Sequence, residues 1–335
     1  MKSSFLFLSL VLAGTFVACS EGSKFRYDEA KALQQDVSGA NALGHVEALV
    51  GFGPRPAGSE AIEKSRLYLE KELGKFGWSV ERQTFEAQTQ KGKKTFVNLR
   101  ARFGDSSRWD DDVSGLLCSH YDTKYFEAFE FVGANDAGSS TGLLVELARV
   151  LAKKTQLANE IELVFFDGEE AFGSNITGKD GLFGSKHYAG QIVAENRRNR
   201  PKWGVLLDMI GDKNLNIRAG VRIPRASLRE LAEADDSGYL VDIEKVQAKV
   251  DQISRDLLSA SDDLELRSYI GISSAYIVDD HVPLNVVAGI PTINLIDFDF
   301  PYWHTPNDRL SEISAESLQI TGRVTLQLIE KYLMP

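Results

Sequence analysis

Cysteine is nearly absent from this chain, with two in 335 residues. Cys19 falls in an N-terminal leader, so only Cys118 is left for the folded part and no intramolecular disulfide can form there. Stability has to come from a buried core, and the length is ample for one. Basic residues are also short: 38 Lys and Arg stand against 48 Asp and Glu, a formal net charge of −10. No basic cluster offers a path for phosphates, so no nucleic acid is expected as a partner, and the acid excess reads as a solvated surface. Residues 24–335 also lack internal repeats, low-complexity tracts and long linkers.

The first feature present is an export signal. Lys2 precedes an apolar stretch, residues 5–18, too short to span a bilayer comfortably, which runs into Ala18-Cys19-Ser20. Two readings stay open. Residues 1–19 form a lipoprotein leader cut before a lipidated Cys19, with Phe16 at the usual leucine position, or they are a plain cleaved signal. Both predict an exported protein, and the first a periplasmic one attached to a membrane through Cys19. Cys118, in the apolar run 113–118, reads as a small buried hydrophobe rather than a reactive thiol.

Periodicity predicts helices over 27–49 and 59–76, then strands over 78–87 and 95–103 that read as a hairpin, and a strand over 113–120. A helix over 138–153 and strands over 160–166 and 204–210 follow. The polar stretch 222–266 reads as helical at 226–234 and 243–259, and a strand over 292–296 and a helix over 315–333 close the chain. Strands alternating with helices predict one α/β domain over 20–335: three layers, α/β/α, with a central mixed, mostly parallel sheet.

The sharpest feature is Phe165-Phe166-Asp167-Gly168-Glu169-Glu170-Ala171-Phe172, where an apolar strand ends in three carboxylates around a glycine. Such strand ends are where α/β sheets place ligands. Four other segments put metal-capable side chains at element ends: His120-Tyr121-Asp122, Asn135-Asp136-Ala137-Gly138, Asp208, and Trp303-His304-Thr305. Taken alone, Asp136 reads as a helix N-cap and Glu169-Glu170 as a solvated pair. Their recurrence at strand ends is what points to one site. Histidine nitrogen and carboxylate oxygen, with one position open, are the donors of catalytic zinc, and Asp122 suits fixing the tautomer of His120.

The order of these motifs resembles the co-catalytic zinc aminopeptidases and, within them, the animal-type glutaminyl cyclases. The octapeptide, Leu207-Asp208-Met209-Ile210-Gly211, Asp279-Asp280-His281-Val282-Pro283, Trp303-His304-Thr305 and Phe183-Gly184-Ser185-Lys186-His187 carry the likeness, over roughly 40–335. The resemblance implies a zinc aminopeptidase-like fold and one zinc on Asp136, Glu170 and His304. It implies Glu169 as proton carrier, Asp208 and Asp279 as a hydrogen-bonded acidic pair, and Trp303 as a pocket wall. Phe300 is a weaker pocket candidate that reads as a core residue before a site residue.

The implied reaction converts the N-terminal Gln of peptides or proteins to pyroglutamate and releases ammonia. The alternative is a two-zinc aminopeptidase, with His120 and Asp208 completing a second site; a metal-free binding domain would lack ligands, and none is missing. Three departures mark the chain. Ser119 and Thr141 stand where the animal enzymes carry a disulfide, Asn175 where they carry a pocket Trp, and Val278 where they carry Gln.

Overall fold

A computed structural model describes residues 27–105, 107, 109, 112–195, 201–223 and 241–334. The leader with Cys19 and the helix expected over 226–234 lie outside the described residues. In chain order the main elements are α1 (Gly39–Gly51), α2 (Glu60–Lys75), β1 (Trp78–Thr89), β2 (Gly92–Phe103), β3 (Gly115–His120), α3 (Ser140–Leu151), β4 (Ile161–Phe166) and α4 (Phe183–Ala194). They continue with β5 (Trp203–Asp208), β6 (Ile217–Ala219), α5 (Ile243–Asp263), β7 (Ile270–Ile272), α6 (His281–Val286), β8 (Thr292–Ile296) and α7 (Ala315–Leu328).

Six strands form one sheet in the order β1-β2-β4-β3-β5-β8. The hairpin β1–β2 and the β2–β4 pair are antiparallel; β4, β3, β5 and β8 run parallel. Every residue of β3, β4 and β5 is buried, as helices on both faces require. Side-chain alternation divides the core. Leu117, Leu163, Phe165, Val205 and Leu207 join the large cluster with residues of α1, α3, α5 and α7. Leu116, Cys118, Val164, Phe166 and Leu206 meet Tyr188 and Ile192 of α4 and Leu284 of α6 on the other face. The expected three-layer α/β/α architecture is the one observed, and Cys118 is a fully buried packing residue. Among the described residues no helix is long and apolar enough to cross a membrane.

Local chemistry accounts for the departures. The helix expected over 27–49 begins only at Gly39, after two short 3₁₀ turns. Distant carboxylates take the backbone donors that a longer helix would use: Glu330 accepts from Leu33 N at 2.7 Å and Glu146 from Ser38 N at 2.8 Å. Ser38 then caps α1 by accepting from Asn41 N. The helix expected from 138 starts at Ser140, because 134–139 form a wide turn in which Asp136 is extended (φ −104°, ψ 94°). Helix α4 and the short strands β6 and β7 carry too little periodicity to be read from sequence. β6 and β7 form a separate parallel pair, tied to β8 through reciprocal hydrogen bonds between Gly220 and Asn294.

One buried ion cluster ties β2 to β4. Glu162 has no exposed surface and accepts from Arg100 Nε and Arg102 Nε, each at 2.7 Å. Replacing Glu162 by Ala leaves two guanidiniums buried without their shared counter-charge. Urea unfolding should show a loss of about 3–5 kcal/mol; a change within about 1 kcal/mol would show that the cluster is not what joins these strands.

Candidate metal centre

The parallel strands deliver their chemistry at one edge. β3 ends on His120 and β5 on Asp208. Beyond β4 the chain turns at Gly168 (φ 73°), where an added Cβ would lie 2.4 Å from the Phe96 ring, so only glycine fits. Asp167, inside the turn, is fully buried and accepts from Arg66 Nη2 at 2.6 Å and Val97 N at 2.8 Å, fixing the turn to α2 and β2. The next two amides, of Glu169 and Glu170, donate to the two oxygens of Asp122 at 3.2 and 3.3 Å. The octapeptide thus divides into a structural acid and two that face the cavity.

Asp136 is the hub. Its Oδ1 lies 3.2 Å from His120 Nε2 and its Oδ2 lies 3.4 Å from His304 Nε2. Glu170 Oε1 is 3.2 Å from the same His304 nitrogen, and Asp208 Oδ1 is 3.3 Å from His120 Nε2. Two groups able to hold a metal result, Asp136–Glu170–His304 and His120–Asp136–Asp208, each with ligand atoms within 4.8 Å of one another. Tetrahedral zinc with bonds of about 2.0–2.1 Å separates its ligand atoms by about 3.3–3.4 Å. The imidazole–carboxylate spacings at His304 match that edge, and the nitrogen–oxygen donor set leaves a fourth position open.

The carboxylates do not respond alike. Burial alone would raise Asp136, yet hydrogen bonds to His120 and His304 hold it well below the usual carboxylate range. Burial pushes Glu169 well up, with Glu170, Asp279 and Asp280 adding to the rise against the pull of His120. Burial raises Asp208 to about 6 and, reinforced by Asp208, raises Asp279 to about 7. Burial works against charge on His304, but Asp136 and Glu170 lift it to about 9. The same contest, with the neighbouring Asp122, Asp136 and Asp208 carboxylates outweighing burial, raises His120.

Several expectations are refined. Asp122 Oδ1 sits 3.4 Å from His120 Nδ1, in ion-pair range but poorly aligned for a hydrogen bond; its better bonds go to the Glu169 and Glu170 amides. Asp208 and Asp279 are not hydrogen-bonded to each other. Asp208 faces His120, and Asp279 Oδ2 accepts from Asn294 Nδ2 at 2.6 Å, a partner on β8 that competes for the carboxylate. Ser119 and Thr141 do meet, with hydroxyl oxygens 3.4 Å apart, and Thr141 Oγ1 donates to His120 O at 2.6 Å.

Sequence reasoning missed the brace behind Asp136. The buried Asp308 carboxylate accepts from Asn135 N at 2.7 Å and Asp136 N at 3.1 Å. Arg55, 1% exposed, donates to Val132 O at 2.8 Å and Gly133 O at 3.1 Å beside it. Lys124, also missed, places Nζ 3.4 Å from Glu170 Oε2 and 2.8 Å from Ala171 O. His304 (φ 55°) and Met209 (φ 46°) adopt left-handed backbone, each at a cost of about 1–2 kcal/mol, which marks two strained positions at the site.

Asp136, Glu169, Glu170, Asp208, Asp279, Lys124 and His304 line a cavity of about 680 Å³ with Asn175, Tyr276, Val278, Phe298 and Trp303. Trp303 is 41% exposed and stacks on His304, ring centroids 4.2 Å apart. Phe300 is not a pocket residue. It packs with Met209, Ile277 and Ile296 in a small buried cluster, and Phe298 instead lies at the cavity, 4.9 Å from Trp303. The chain turns after β8, so strand alternation no longer tells which of the two faces outward.

Zinc must displace protons from these imidazoles, since His304 keeps its proton until pH rises through about 9. Apparent zinc affinity, read by chelator competition, should rise about tenfold per pH unit between pH 7 and 9 for each proton displaced. A flat profile would mean that both imidazoles are already neutral.

The profile of Peptidase family M28 matches residues 98–329. A glutaminyl-peptide cyclotransferase of Drosophila melanogaster is 31% identical over 273 residues, covering 78% of this chain and 72% of the relative. A glutaminyl cyclase of Porphyromonas gingivalis superposes with a TM-score of 0.71 at 25% identity, over 88% of this chain and 98% of that one. A Zn-dependent exopeptidase of Parabacteroides distasonis superposes with a TM-score of 0.70 at 27% identity, over 88% and 98%. The chain belongs to peptidase family M28 and, within it, to the glutaminyl-peptide cyclotransferase group.

Proposed function

We propose that this protein cyclises the N-terminal glutaminyl residue of peptides or proteins to pyroglutamate with release of ammonia. The observation that carries the reading is the buried, raised Glu169 carboxylate beside the Asp136–Glu170–His304 group, in a cavity walled by Trp303. In the reaction the α-amine nitrogen bonds to the side-chain amide carbon and the carbon–NH₂ bond breaks. The amine must lose a proton and the departing nitrogen must gain one. Glu169 serves both transfers. A free α-amine titrates near 7.7–8.0, and a carboxylate raised above its ordinary range is a better base for it than an unshifted one.

Asp136, Glu170 and His304 would hold one zinc. The chemistry a bound zinc supplies is polarisation of a carbonyl oxygen and stabilisation of the negative charge developing there. Asp208, raised to about 6, and Asp279, raised to about 7, line the same cavity as Glu169 as carboxylates that exchange protons more readily than ordinary ones. Trp303 offers a flat apolar wall to the aliphatic part of the glutaminyl side chain. The reading includes export to the periplasm and anchoring through a lipidated Cys19.

A second reading, a two-zinc aminopeptidase, is favoured by one observation: His120 and Asp208 complete a second ligand group on the shared Asp136. The products separate the two. A Gln-initiated peptide should lose the mass of one ammonia, whereas a peptidase would release a free amino acid. Glu169→Gln should keep its zinc and lose about 10²–10⁴-fold in kcat. Glu170→Ala should lose zinc as well as turnover. An active Glu169→Gln enzyme would remove Glu169 from the proton path.

A further inference from the structure

The cavity is lined by six carboxylates, those of Asp136, Glu169, Glu170, Asp208, Asp279 and Asp299, and by two side chains of fixed positive charge, Lys124 and Arg218. Lys124 is committed to Glu170 and Ala171 O. Arg218 is not committed to an acid. Its Nη1 donates to its own Ile217 O at 3.0 Å, and among the described residues no carboxylate lies within ion-pair distance of it. A half-buried guanidinium in an acidic cavity, without a carboxylate of its own, is a site for a carboxylate brought by the ligand.

The backbone is arranged to present it. Arg218 is the middle residue of β6 and pairs in register with Gly271 of β7. A Cβ at Gly271 would lie 2.7 Å from Arg218 Nη1 and 3.0 Å from Cδ, so the side chain runs over bare glycine backbone. Any larger residue there would displace it. The segment that follows β7, Ser273 to Val278, continues along the cavity wall. The cavity, about 680 Å³, lies within the 300–1,000 Å³ of pockets that take drug-sized ligands, so it has room beyond a single glutaminyl residue.

We propose that Arg218 binds a carboxylate of the peptide downstream of its N-terminal glutamine, making acidic peptides the favoured substrates. This rests on the cyclase reading. The planar guanidinium matches a carboxylate in a two-pronged geometry that lysine cannot reproduce. Asp299, whose Oδ2 accepts from Asn216 Nδ2 at 2.6 Å, faces the same cavity. With a net charge of −10, the rest of the chain repels an acidic peptide, so Arg218 has to overcome that repulsion. The carboxylate can be a side chain at the second or third position or the C-terminus of a very short peptide.

The test compares Gln-Ala-Ala-amide with Gln-Glu-Ala-amide, Gln-Ala-Glu-amide, Gln-Lys-Ala-amide and Gln-Ala-Ala bearing a free C-terminus. Wild-type enzyme should show a KM about tenfold lower for at least one carboxylate-bearing peptide than for Gln-Ala-Ala-amide, with kcat little changed. Which peptide gains identifies the source of the carboxylate. Arg218→Ala should abolish that preference while turning over Gln-Ala-Ala-amide as wild type does. Arg218→Glu should shift it to Gln-Lys-Ala-amide, and Gly271→Val should mimic Arg218→Ala with the arginine still present. Equal KM values across the set, or a preference that survives Arg218→Ala, would overturn the proposal. If no peptide is cyclised, the cyclase reading fails instead; peptide binding, followed by tryptophan fluorescence in wild type and Arg218→Ala, then decides the role of Arg218 separately.

Discussion

Repulsion among buried carboxylates is the constraint on which this structure turns. Asp122, Asp136, Glu169, Glu170, Asp208, Asp279, Asp280 and Asp308 are all buried at or just behind one sheet edge. They cannot all ionise there without positive charge close by. The protein answers in two ways. It raises the proton affinity of several, Glu169, Asp208, Asp279, Asp280 and Asp308 among them, and it faces Asp136 with two imidazoles. Asp136, held ionised between two nitrogen donors, is where a cation gains most.

The scaffold makes that crowding tolerable by fixing each acid with backbone donors. Asp122 takes the amides of Glu169 and Glu170, and Asp308 takes those of Asn135 and Asp136. Arg55, buried behind them, supplies permanent positive charge and keeps the Val132–Gly133 carbonyls in place. Around the cation site, aromatic edges from Phe126 and Phe131 and the face of Trp303 confine the His304 ring. A ligand held this way gives up little conformational freedom when metal binds, which is how a strained backbone at His304 can be offset.

The parts legible in the sequence were those with long-range regularity. The parallel strands read as apolar runs because both faces are covered, and strand 292–296 has the expected limits. The metal-capable residues stood out because strand ends recur with the same chemistry. Asp308 did not, since Asn307-Asp308 looks like any polar turn and its partners, Asn135 and Asp136, are remote in sequence. Arg218 sits on a three-residue strand, too short for any periodicity, and its cavity-facing role depends on Gly271 across the pair. Phe300 lies in the buried cluster and Phe298, not singled out in the sequence, lines the cavity because the turn after β8 breaks alternation, and the helix over 27–49 broke where distant Glu146 and Glu330 claim its amides.

The central claim is that one cation on Asp136, Glu170 and His304 turns a crowded acidic edge into a cyclase. Stepwise addition of zinc to the chelator-stripped protein, with ammonia release from a Gln-initiated peptide as the readout, tests it most directly. Turnover should rise with the first equivalent per chain and then level off. Turnover without metal, or a rise that continues to the second equivalent, would contradict it.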